Sequence, residues 1–288
     1  MRKEFAKRAL HHLSTDSDFY TLLGDISIGL FVDANDRLPN NCLNVGIMEQ
    51  ATISFAAGLS SAGKKVVVHT IGAFLIERTY EQIKLDLIYN KNPVVLVSAN
   101  GPYEYAKLGP THHSANDVPL MVTFKSVKIY LPSYPEEIAS ILDNAISDRT
   151  NTSYIRLFRP PTPGEVPLLK PSHVYTSNTA GLNAKKLLIV VGELVHRLAS
   201  FLEQHSPTDF LYINTLPLVS VEFNNFNTYE KIIVYEPYAS GIIASYLRGL
   251  CYQAVVFSFT YPKIIEEGIF NEIPLISDDI GSAVRACN

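Results

Sequence analysis

The stretch Asn44-Val45-Gly46-Ile47-Met48-Glu49-Gln50 opens a helical pattern that continues to residue 62. A strand-like segment, residues 20–23, precedes it across a polar loop at 33–41. A glutamate in the first turn of an otherwise apolar helix can simply complement the helix dipole. It can also be a buried carboxylate that exchanges a proton with a ligand in a crevice. Glu49 taken alone leaves both interpretations open.

Composition limits the class of protein. The 288 residues suggest one large or two medium domains, and a chain that is 47% hydrophobic and 18% charged with net charge −4 is ordinary for a globular protein. This balance does not favour nucleic acid or a membrane surface as the main partner. The basic start of the chain lacks the apolar core of a signal peptide. Cys42, Cys251 and Cys287 lack metal or redox spacing, so a cytoplasmic protein is expected.

Strands alternate with helical patterns along the whole chain, which predicts an α/β fold of two doubly wound domains with mostly parallel sheets. Five prolines between positions 160 and 171 can continue neither a helix nor a central strand. They predict domains at 1–159 and 176–288 joined by a linker at 160–175. Strands are predicted at 19–23, 65–70, 93–98, 127–131, 153–158, 187–191, 211–213, 231–235 and 254–257, and helices at 47–62, 74–89, 133–146, 194–204, 241–249 and 263–269.

Polar and aromatic residues gather where the predicted strands of the first half end. Ligands of open parallel sheets bind in the crevice beyond the carboxyl ends of the strands. Glu49 opens a helix that can face the same crevice. The features at or just beyond strand ends are Asp25, the segment 70–74, Asn100, the loop containing Gly109-Pro110-Thr111-His112-His113, and Arg159. This arrangement predicts one ligand site in the first half of the chain.

Three ordered motifs resemble the pyrimidine-binding domain of transketolases, which use thiamine diphosphate. They are residues 44–50 followed by Ala56-Ala57-Gly58-Leu59, Phe74 followed by Arg78-Thr79-Tyr80-Glu81-Gln82-Ile83, and residues 109–113. The chain is most similar to the carboxyl-terminal section of transketolases made as two polypeptides. The resemblance is strong over 21–159, and residues 235–241 faintly echo the family's C-terminal domain.

The resemblance implies a set of cofactor contacts. Glu49 matches the glutamate that hydrogen-bonds N1′ of the aminopyrimidine, a bond that favours the tautomer able to remove the thiazolium C2 proton. This chemistry requires a carboxyl group shielded from water. Phe74 matches an aromatic residue that packs on the aminopyrimidine, and Ile71 stands where a second aromatic is frequent. Arg78 is a further cofactor candidate, although it equally fits a solvated helix arginine.

Asp25 and Ile26 follow a predicted strand and Gly24. Asp25 matches an aspartate near the thiazolium, and a turn-forming aspartate is the alternative. Ile26 matches the apolar residue that bends the cofactor into its V shape. The resemblance therefore places both residues beside the cofactor.

The substrate side is implied by a second group of residues. His112 matches a histidine near the reacting carbon that is suited to proton transfer, and His113 assists or braces it. Arg159 matches an arginine that binds substrate phosphate, with a linker arginine as the alternative. A metal site at His112, His113 and Asp117 is not expected, because no third neutral ligand has fitting spacing.

Two positions depart from the family pattern. Asn100, a candidate substrate-binding residue, stands where transketolases place a histidine, and Leu108 stands where they place an aspartate that binds a sugar hydroxyl. Because such polar contacts dominate discrimination between substrates, the expected substrate is a sugar or sugar phosphate that differs from the usual pentose phosphates. A modified or nucleotide-linked sugar is the hypothesis.

The diphosphate-and-metal motif of the family, Gly-Asp-Gly followed further on by Asn, does not occur in the sequence. Diphosphate needs a cation or a helix terminus to offset its charge. The resemblance therefore implies a partner, the N-terminal diphosphate-binding subunit with its Mg²⁺ (or Ca²⁺), in an α2β2 heterotetramer.

The implied activity is transfer of a two-carbon ketol unit from a ketose to an aldehyde. Within the same chemistry, the alternatives are an enzyme similar to deoxyxylulose-phosphate synthase or to the β-subunit of a 2-oxo acid dehydrogenase, both of which decarboxylate a 2-oxo acid. A non-catalytic partner subunit is the alternative from another class.

Overall fold

The computed structural model describes residues 1–159, 170–171, 174–175, 185–196, 209–217, 226, 228–250 and 254–260. The predicted helix at 263–269, most of the predicted helix at 194–204 and residues 160–169 of the predicted linker lie outside the described residues. The domain limits at 159 and 176 therefore stay a prediction.

The first half of the chain forms most of a seven-stranded sheet. The strands are β1 (Phe19–Leu23), β2 (Cys42–Asn44), β3 (Lys65–Thr70), β4 (Val95–Ser98), β5 (Lys128–Tyr130), β6 (Ser153–Arg156) and β10 (Thr215–Leu216). Their order in the sheet is β10-β5-β6-β4-β3-β1-β2. Six strands are parallel, and β10 from the second half adds to the edge antiparallel to β5. The α/β fold with mostly parallel sheets is thus confirmed, with the addition that both halves contribute to this sheet.

Helices cover both faces of this sheet. They are α1 (Arg2–Thr15), α2 (Glu49–Ser61), a π-helical segment π1 (Ala73–Glu77), α3 (Tyr80–Gln82), a second π-helical segment π2 (Ile83–Tyr89), α4 (Asp117–Met121) and α5 (Ile138–Ser147). Val66 and Val68 of β3 pack in one cluster with Ile53 of α2, whereas Val67 packs in another with Phe5 of α1. Successive residues of a strand face opposite sides, so a strand buried along its length needs a cover on each face.

Three local predictions need correction. The helix predicted from residue 47 begins at Glu49, and Ile47 and Met48 are 69% and 58% exposed. The helix predicted at 74–89 is wound largely as π1 and π2. The helix predicted at 133–146 begins later, as a 3₁₀ turn at Pro135–Glu137 that leads into α5, and the Glu137 carboxylate accepts the backbone N–H groups of Ser133 and Tyr134 at 2.7 and 3.0 Å.

The second half forms a five-stranded sheet. Its elements are β7 (Val174–Tyr175), β8 (Lys186–Val191), β9 (Asp209–Ile213), β11 (Lys231–Glu236), α6 (Ile242–Leu250) and β12 (Val255–Thr260). The strand order is β12-β11-β8-β9-β7, parallel except for β7. Arg156 of the first half donates to the backbone oxygen of Pro237, and Leu131 donates to that of Asn214. None of the helices in the described ranges is long and apolar enough to cross a bilayer.

Candidate active site

Glu49 lies at the carboxyl edge of the first sheet. The short strand β2 pairs with β1 and ends at Asn44, so the chain turns there and starts α2 at Glu49. The Glu49 side chain is 5% exposed, and its Oε2 accepts a hydrogen bond of 2.9 Å from Nη1 of Arg78. A buried carboxylate needs such a partner, because an unpaired charge away from water is costly. The sequence expectation that Glu49 is shielded from water is met.

Phe74 and Arg78 are brought together by the π-helical winding of π1. In a π-helix the backbone bonds span five residues, as in the 3.1 Å bond from the Arg78 N–H to the Ala73 oxygen, and positions four apart come nearly into line. The Arg78 guanidinium carbon therefore lies 4.1 Å from the centroid of the half-buried Phe74 ring. This is cation–π geometry. Glu49, Arg78 and Phe74 form one continuous group.

His112 extends this group on the side of the 99–117 loop. Its ring centroid is 5.0 Å from that of Phe74 and 6.2 Å from that of Tyr105, in edge-on geometry. Its Nδ1 lies 2.9 Å from the hydroxyl of Thr111. The residue is half-buried, so His112 lies beside the aromatic face of Phe74 without being enclosed by the fold.

Asp25 and Ile26 lie on the turn that follows β1. Asp25 is exposed and has φ of 55°, and Ile26 is half-buried. Asn44 holds the turn: its Oδ1 accepts the Asp25 N–H at 3.0 Å, and its Nδ2 donates to Asp25 Oδ1 at 3.1 Å. The turn at β1 is thereby fastened to the segment that leads into Glu49.

Asn100 is fully buried and bonded to the backbone. Its Oδ1 accepts the Gly72 N–H at 2.9 Å, and its Nδ2 donates to the Gly101 oxygen at 2.8 Å. A Cβ at Gly72 would stand 2.8 Å from Ser114 Oγ, so glycine permits this close approach. Because both the oxygen and the nitrogen of the Asn100 side-chain amide bond to the backbone, this geometry favours a role in positioning the chain that leads to Phe74. The predicted role of Asn100 in substrate binding stays a prediction. Ile71, next to Gly72, is half-buried.

The structure does not bring Arg159 or His113 into contact with the Glu49 group. Arg159 is exposed, and its backbone N–H donates to the carboxylate of Glu104, whose pKa is raised by burial. His113 is 3% exposed, with its ring 5.0 Å from that of Tyr103. Their predicted roles in substrate binding stay predictions, and His113 lies where it can support the loop that carries His112.

Two titratable residues near the site were not singled out from the sequence. Glu77 of π1 is half-buried, and burial together with the charge of Asp117 raises its pKa to about 7. His69 of β3 is fully buried, and burial lowers its pKa to about 4. The sequence features that could have drawn attention to them are a carboxylate next to Arg78 and a histidine inside an apolar strand. Both are weak without the contacts.

The arrangement suits a planar nitrogen heterocycle. A shielded carboxylate is a hydrogen-bond acceptor for a ring N–H, and the adjacent aromatic side chain offers a face for stacking. These are the contacts that an aminopyrimidine requires, so the residues present fit the pyrimidine end of thiamine diphosphate. Within the ranges that the structure describes, no group of three His, Cys, Asp or Glu residues is arranged to hold a metal ion.

Comparison with known families defines the class. Residues 1–163, more than half of the chain, match the family described as transketolase, pyrimidine binding domain. The chain belongs to that family.

Two of the similar proteins are subunits of transketolases. The chain is 41% identical over 121 residues to the B subunit of the apulose-4-phosphate transketolase of Actinobacillus succinogenes, covering 42% of this chain and 39% of that protein. It is 31% identical over 166 residues to the corresponding subunit from Phocaeicola vulgatus, covering 56% and 52%. The alignments thus span about half or less of these relatives.

A solved structure shares the fold over almost the whole chain. It is a split gene transketolase in the form of an inactive β4 tetramer, and it has a TM-score of 0.75 at 20% identity, covering 99% of this chain and 96% of that one. At this level of identity the similarity shows the fold.

Proposed function

We propose that this chain is the C-terminal, pyrimidine-binding subunit of a two-polypeptide, transketolase-like transferase. It acts with thiamine diphosphate to move a two-carbon ketol unit from a ketose to an aldehyde. The observation that carries the proposal is the 5% exposed Glu49 carboxylate beside the Phe74 ring, at the carboxyl edge of a parallel sheet. In a chain of this family, that is where the aminopyrimidine would bind.

The residues of this chain bind and orient the cofactor. Glu49 would hold the pyrimidine nitrogen by a hydrogen bond and exchange a proton with it, while Phe74 and Ile71 exclude water from the ring. Asp25 and Ile26 would contact the thiazolium side, and Arg78 keeps the Glu49 carboxylate in place. When bound, thiamine diphosphate supplies a nucleophilic carbon and an electron sink for the two-carbon unit.

The substrate would approach along the 99–117 loop. His112 is half-buried between the Phe74 and Tyr105 rings, so it can move a proton to or from a sugar oxygen. His113 and Asn100 would support the 99–117 loop that carries His112, and the Arg159 guanidinium would bind a phosphate group of the substrate. The exposed Leu108 replaces a polar contact, which supports a sugar other than the usual pentose phosphates. A modified or nucleotide-linked sugar is the proposed acceptor class.

An exposed apolar surface beside Glu49 supports a partner subunit. The hydroxyl of Ser54 on α2 donates to Asp86 on π2 at 2.6 Å, so the outer faces of these two elements adjoin. These two elements and the segment that leads into α2 carry large apolar side chains that are 43–79% exposed, namely Ile47 and Met48 before α2, Phe55 on α2, and Leu85 and Tyr89 on π2. Apolar groups of this size gathered on one surface indicate an interface. The two relatives above are each one subunit of a transketolase, and the similar β4 tetramer is inactive; both facts agree with a required companion.

The companion is proposed to be the diphosphate-binding subunit, with Mg²⁺ or Ca²⁺, in an α2β2 assembly. Ile47, Met48 and the shielded Glu49 are consecutive. A subunit placed on this surface would therefore close the site from which the pyrimidine ring is reached.

The test is Glu49→Ala in the complex purified from cells that produce both polypeptides. Loss of a positioned proton-transfer group is expected to lower kcat for ketol transfer by about 10²- to 10⁴-fold, while the complex stays intact by size-exclusion chromatography. Glu136→Ala, at an exposed glutamate remote in sequence, is the matched control and should leave kcat unchanged.

Two outcomes would contradict the proposal. Release of carbon dioxide from pyruvate by the wild-type complex, without ketol transfer, would assign it to the decarboxylating alternatives. Full activity of Glu49→Ala would make this chain a non-catalytic partner. Donor and acceptor screening tests the substrate class, which fails if xylulose 5-phosphate and ribose 5-phosphate are by far the best pair.

A further inference from the structure

The turn between β1 and the 3₁₀ segment Ile28–Leu30 has an unusual backbone. Asp25 has φ of 55° and Ser27 has φ of 62°, so two residues other than glycine are left-handed on either side of Ile26. This conformation is unfavourable for residues with a Cβ, and it persists where the surroundings hold it. Contacts with the neighbouring strands therefore have to hold this turn in place.

One end of the turn is fixed by backbone contacts with β3. The Gly24 N–H donates to the His69 oxygen at 2.9 Å. A Cβ at Gly24 would stand 2.9 Å from the Cβ of Thr70, so only glycine allows this approach. The start of the turn is thus pressed against the end of β3.

The other end is fixed by a side-chain bond from Ser27 to His69. The Ser27 hydroxyl lies 3.0 Å from His69 Nε2, and His69 Nδ1 lies 2.9 Å from the backbone oxygen of Val97 on β4. A carbonyl oxygen can only accept, so Nδ1 carries the proton and Nε2 is an acceptor. The Ser27 hydroxyl therefore donates. This order of donors and acceptors fixes the tautomer of the imidazole.

The environment of His69 keeps that tautomer in place. The side chain is fully buried in the middle of the sheet, with the Phe5 ring 4.7 Å away. Burial lowers the pKa of His69 to about 4, the Val97 oxygen opposes that shift, and the charge of Arg2 adds to it. The imidazole is therefore neutral at physiological pH, and its hydrogen bonds keep one direction.

We propose that Ser27 and His69 are positioning residues that anchor the left-handed Asp25–Ser27 turn to the centre of the sheet. This inference rests on the proposed function, in which Asp25 and Ile26 contact the cofactor. Asn44 holds Asp25 from the side of Glu49, whereas Ser27 and His69 hold the far side of Ile26. With the Ser27 bond removed, the turn would be held on the Asp25 side alone, and Ile26 would no longer be fixed from both ends.

The first readout is the protonation state of His69 in the full chain, measured by side-chain ¹⁵N NMR without cofactor or substrate. The signal is assigned by its loss in His69→Gln and, independently, by its shift in Ser27→Ala. The expected result is a neutral Nδ1–H tautomer that does not titrate between pH 5 and pH 8. An Nε2–H tautomer, or titration near the ordinary histidine pKa of about 6.5, would contradict the proposal that His69 anchors the turn.

The second readout is kinetic and uses the complex with its companion subunit. Ser27→Ala is expected to lower kcat roughly 10- to 100-fold, because small misplacements in a site cost activity of that order. Ser140→Ala is the control, since its exposed hydroxyl donates to the Glu137 oxygen one turn earlier in the same helical region. Ser27→Asn tolerates φ above zero and keeps a donor, so partial rescue by this variant is expected.

The outcomes separate the two proposals. Ser27→Ala with wild-type kcat would overturn the positioning role and leave the proposed function standing. A wild-type complex without ketol transfer would defeat the proposed function, while the NMR result would still decide whether His69 anchors the turn. A similar loss in Ser27→Ala and Ser27→Asn, with an unfolding midpoint far below that of the wild type, would mark the bond as purely structural and overturn the positioning role.

Discussion

Two carboxylate–arginine pairs in the first half of the chain have a buried carboxylate, and they are built differently. The side chains of Asp117 and Arg156 are 0% and 1% exposed. Asp117 also accepts bonds from the Tyr154 hydroxyl at 2.6 Å and the Val118 N–H at 2.6 Å, and Arg156 also donates to the Pro237 oxygen. This pair is a closed network that connects α4, β6 and the second half.

The Glu49–Arg78 pair is open on one side. Glu49 is 5% exposed, but Arg78 is 44% exposed and rests on the Phe74 ring. Within the described part of the chain, Arg78 is the one side chain that hydrogen-bonds the Glu49 carboxylate. A carboxylate with remaining acceptor capacity at a crevice can bind a ligand, whereas a saturated one cannot. The contrast teaches that the number of partners, more than burial alone, separates a carboxylate that can still accept a ligand from one that is saturated by the fold.

The largest expected effect is on stability, from breaking the closed pair. Asp117→Ala leaves the Arg156 charge buried without its carboxylate, and the free energy of unfolding should fall by about 3–5 kcal/mol. Chemical denaturation of the full chain measures it. The double variant Asp117→Ala/Arg156→Met removes both charges and should recover part of the loss. A fall below about 1 kcal/mol for Asp117→Ala would erase the distinction between the two pairs.

The next largest effect on stability is expected from Glu77, a carboxylate whose pKa is influenced by the charge of Asp117 but which lies outside the Asp117–Arg156 hydrogen-bond network described above. Burial and the Asp117 charge raise the pKa of Glu77 to about 7, above the unfolded value of about 4.3. The folded chain therefore holds this proton more tightly, so the stabilising contribution is present below pH 4.3 and is lost as pH rises through 7.

Glu77→Gln, which mimics the protonated side chain, is accordingly expected to be more stable than wild type at pH 8, by about 1–3 kcal/mol. The two proteins should converge below about pH 4.5. Thermal unfolding from pH 4 to pH 9 gives the difference, and Glu81→Gln, at an exposed position, is the control. A difference independent of pH would mean that Glu77 does not titrate in this range.

The elements of the fold that follow from local patterns were predicted well. Strands β1 and β3 have the predicted bounds, because short apolar runs with β-branched residues end at glycine or at a polar turn. Strand β2 was missed, since three residues that include Cys42 and Asn44 carry no alternation. The π winding of residues 73–89 was also missed, because apolar spacing alone does not distinguish it from an α-helix.

The candidate site likewise combines features that local sequence patterns predict with features that they do not. The burial of Glu49 followed from an apolar helix that begins with a carboxylate and from the family resemblance. The contacts that define its surroundings join residues distant in sequence: Arg78 is 29 residues from Glu49, and His69 is 42 residues from Ser27. Side-chain bonds of this range depend on how the strands are ordered in the sheet. A pattern within one segment does not contain that information.

The smallest expected effect on stability comes from opening the second pair. Arg78→Met should change the free energy of unfolding by about 1 kcal/mol or less, because an exposed guanidinium contributes little through an ion pair or a ring contact. In the complex, the same change should raise the KM for thiamine diphosphate about tenfold, since the Glu49 carboxylate loses the donor that orients it. Lys84→Met, at an exposed position of π2, is the control for both measurements. A loss of stability comparable to that of Asp117→Ala would show that Arg78 supports the fold as Arg156 does, and an unchanged KM would show that Glu49 needs no partner to be held in place.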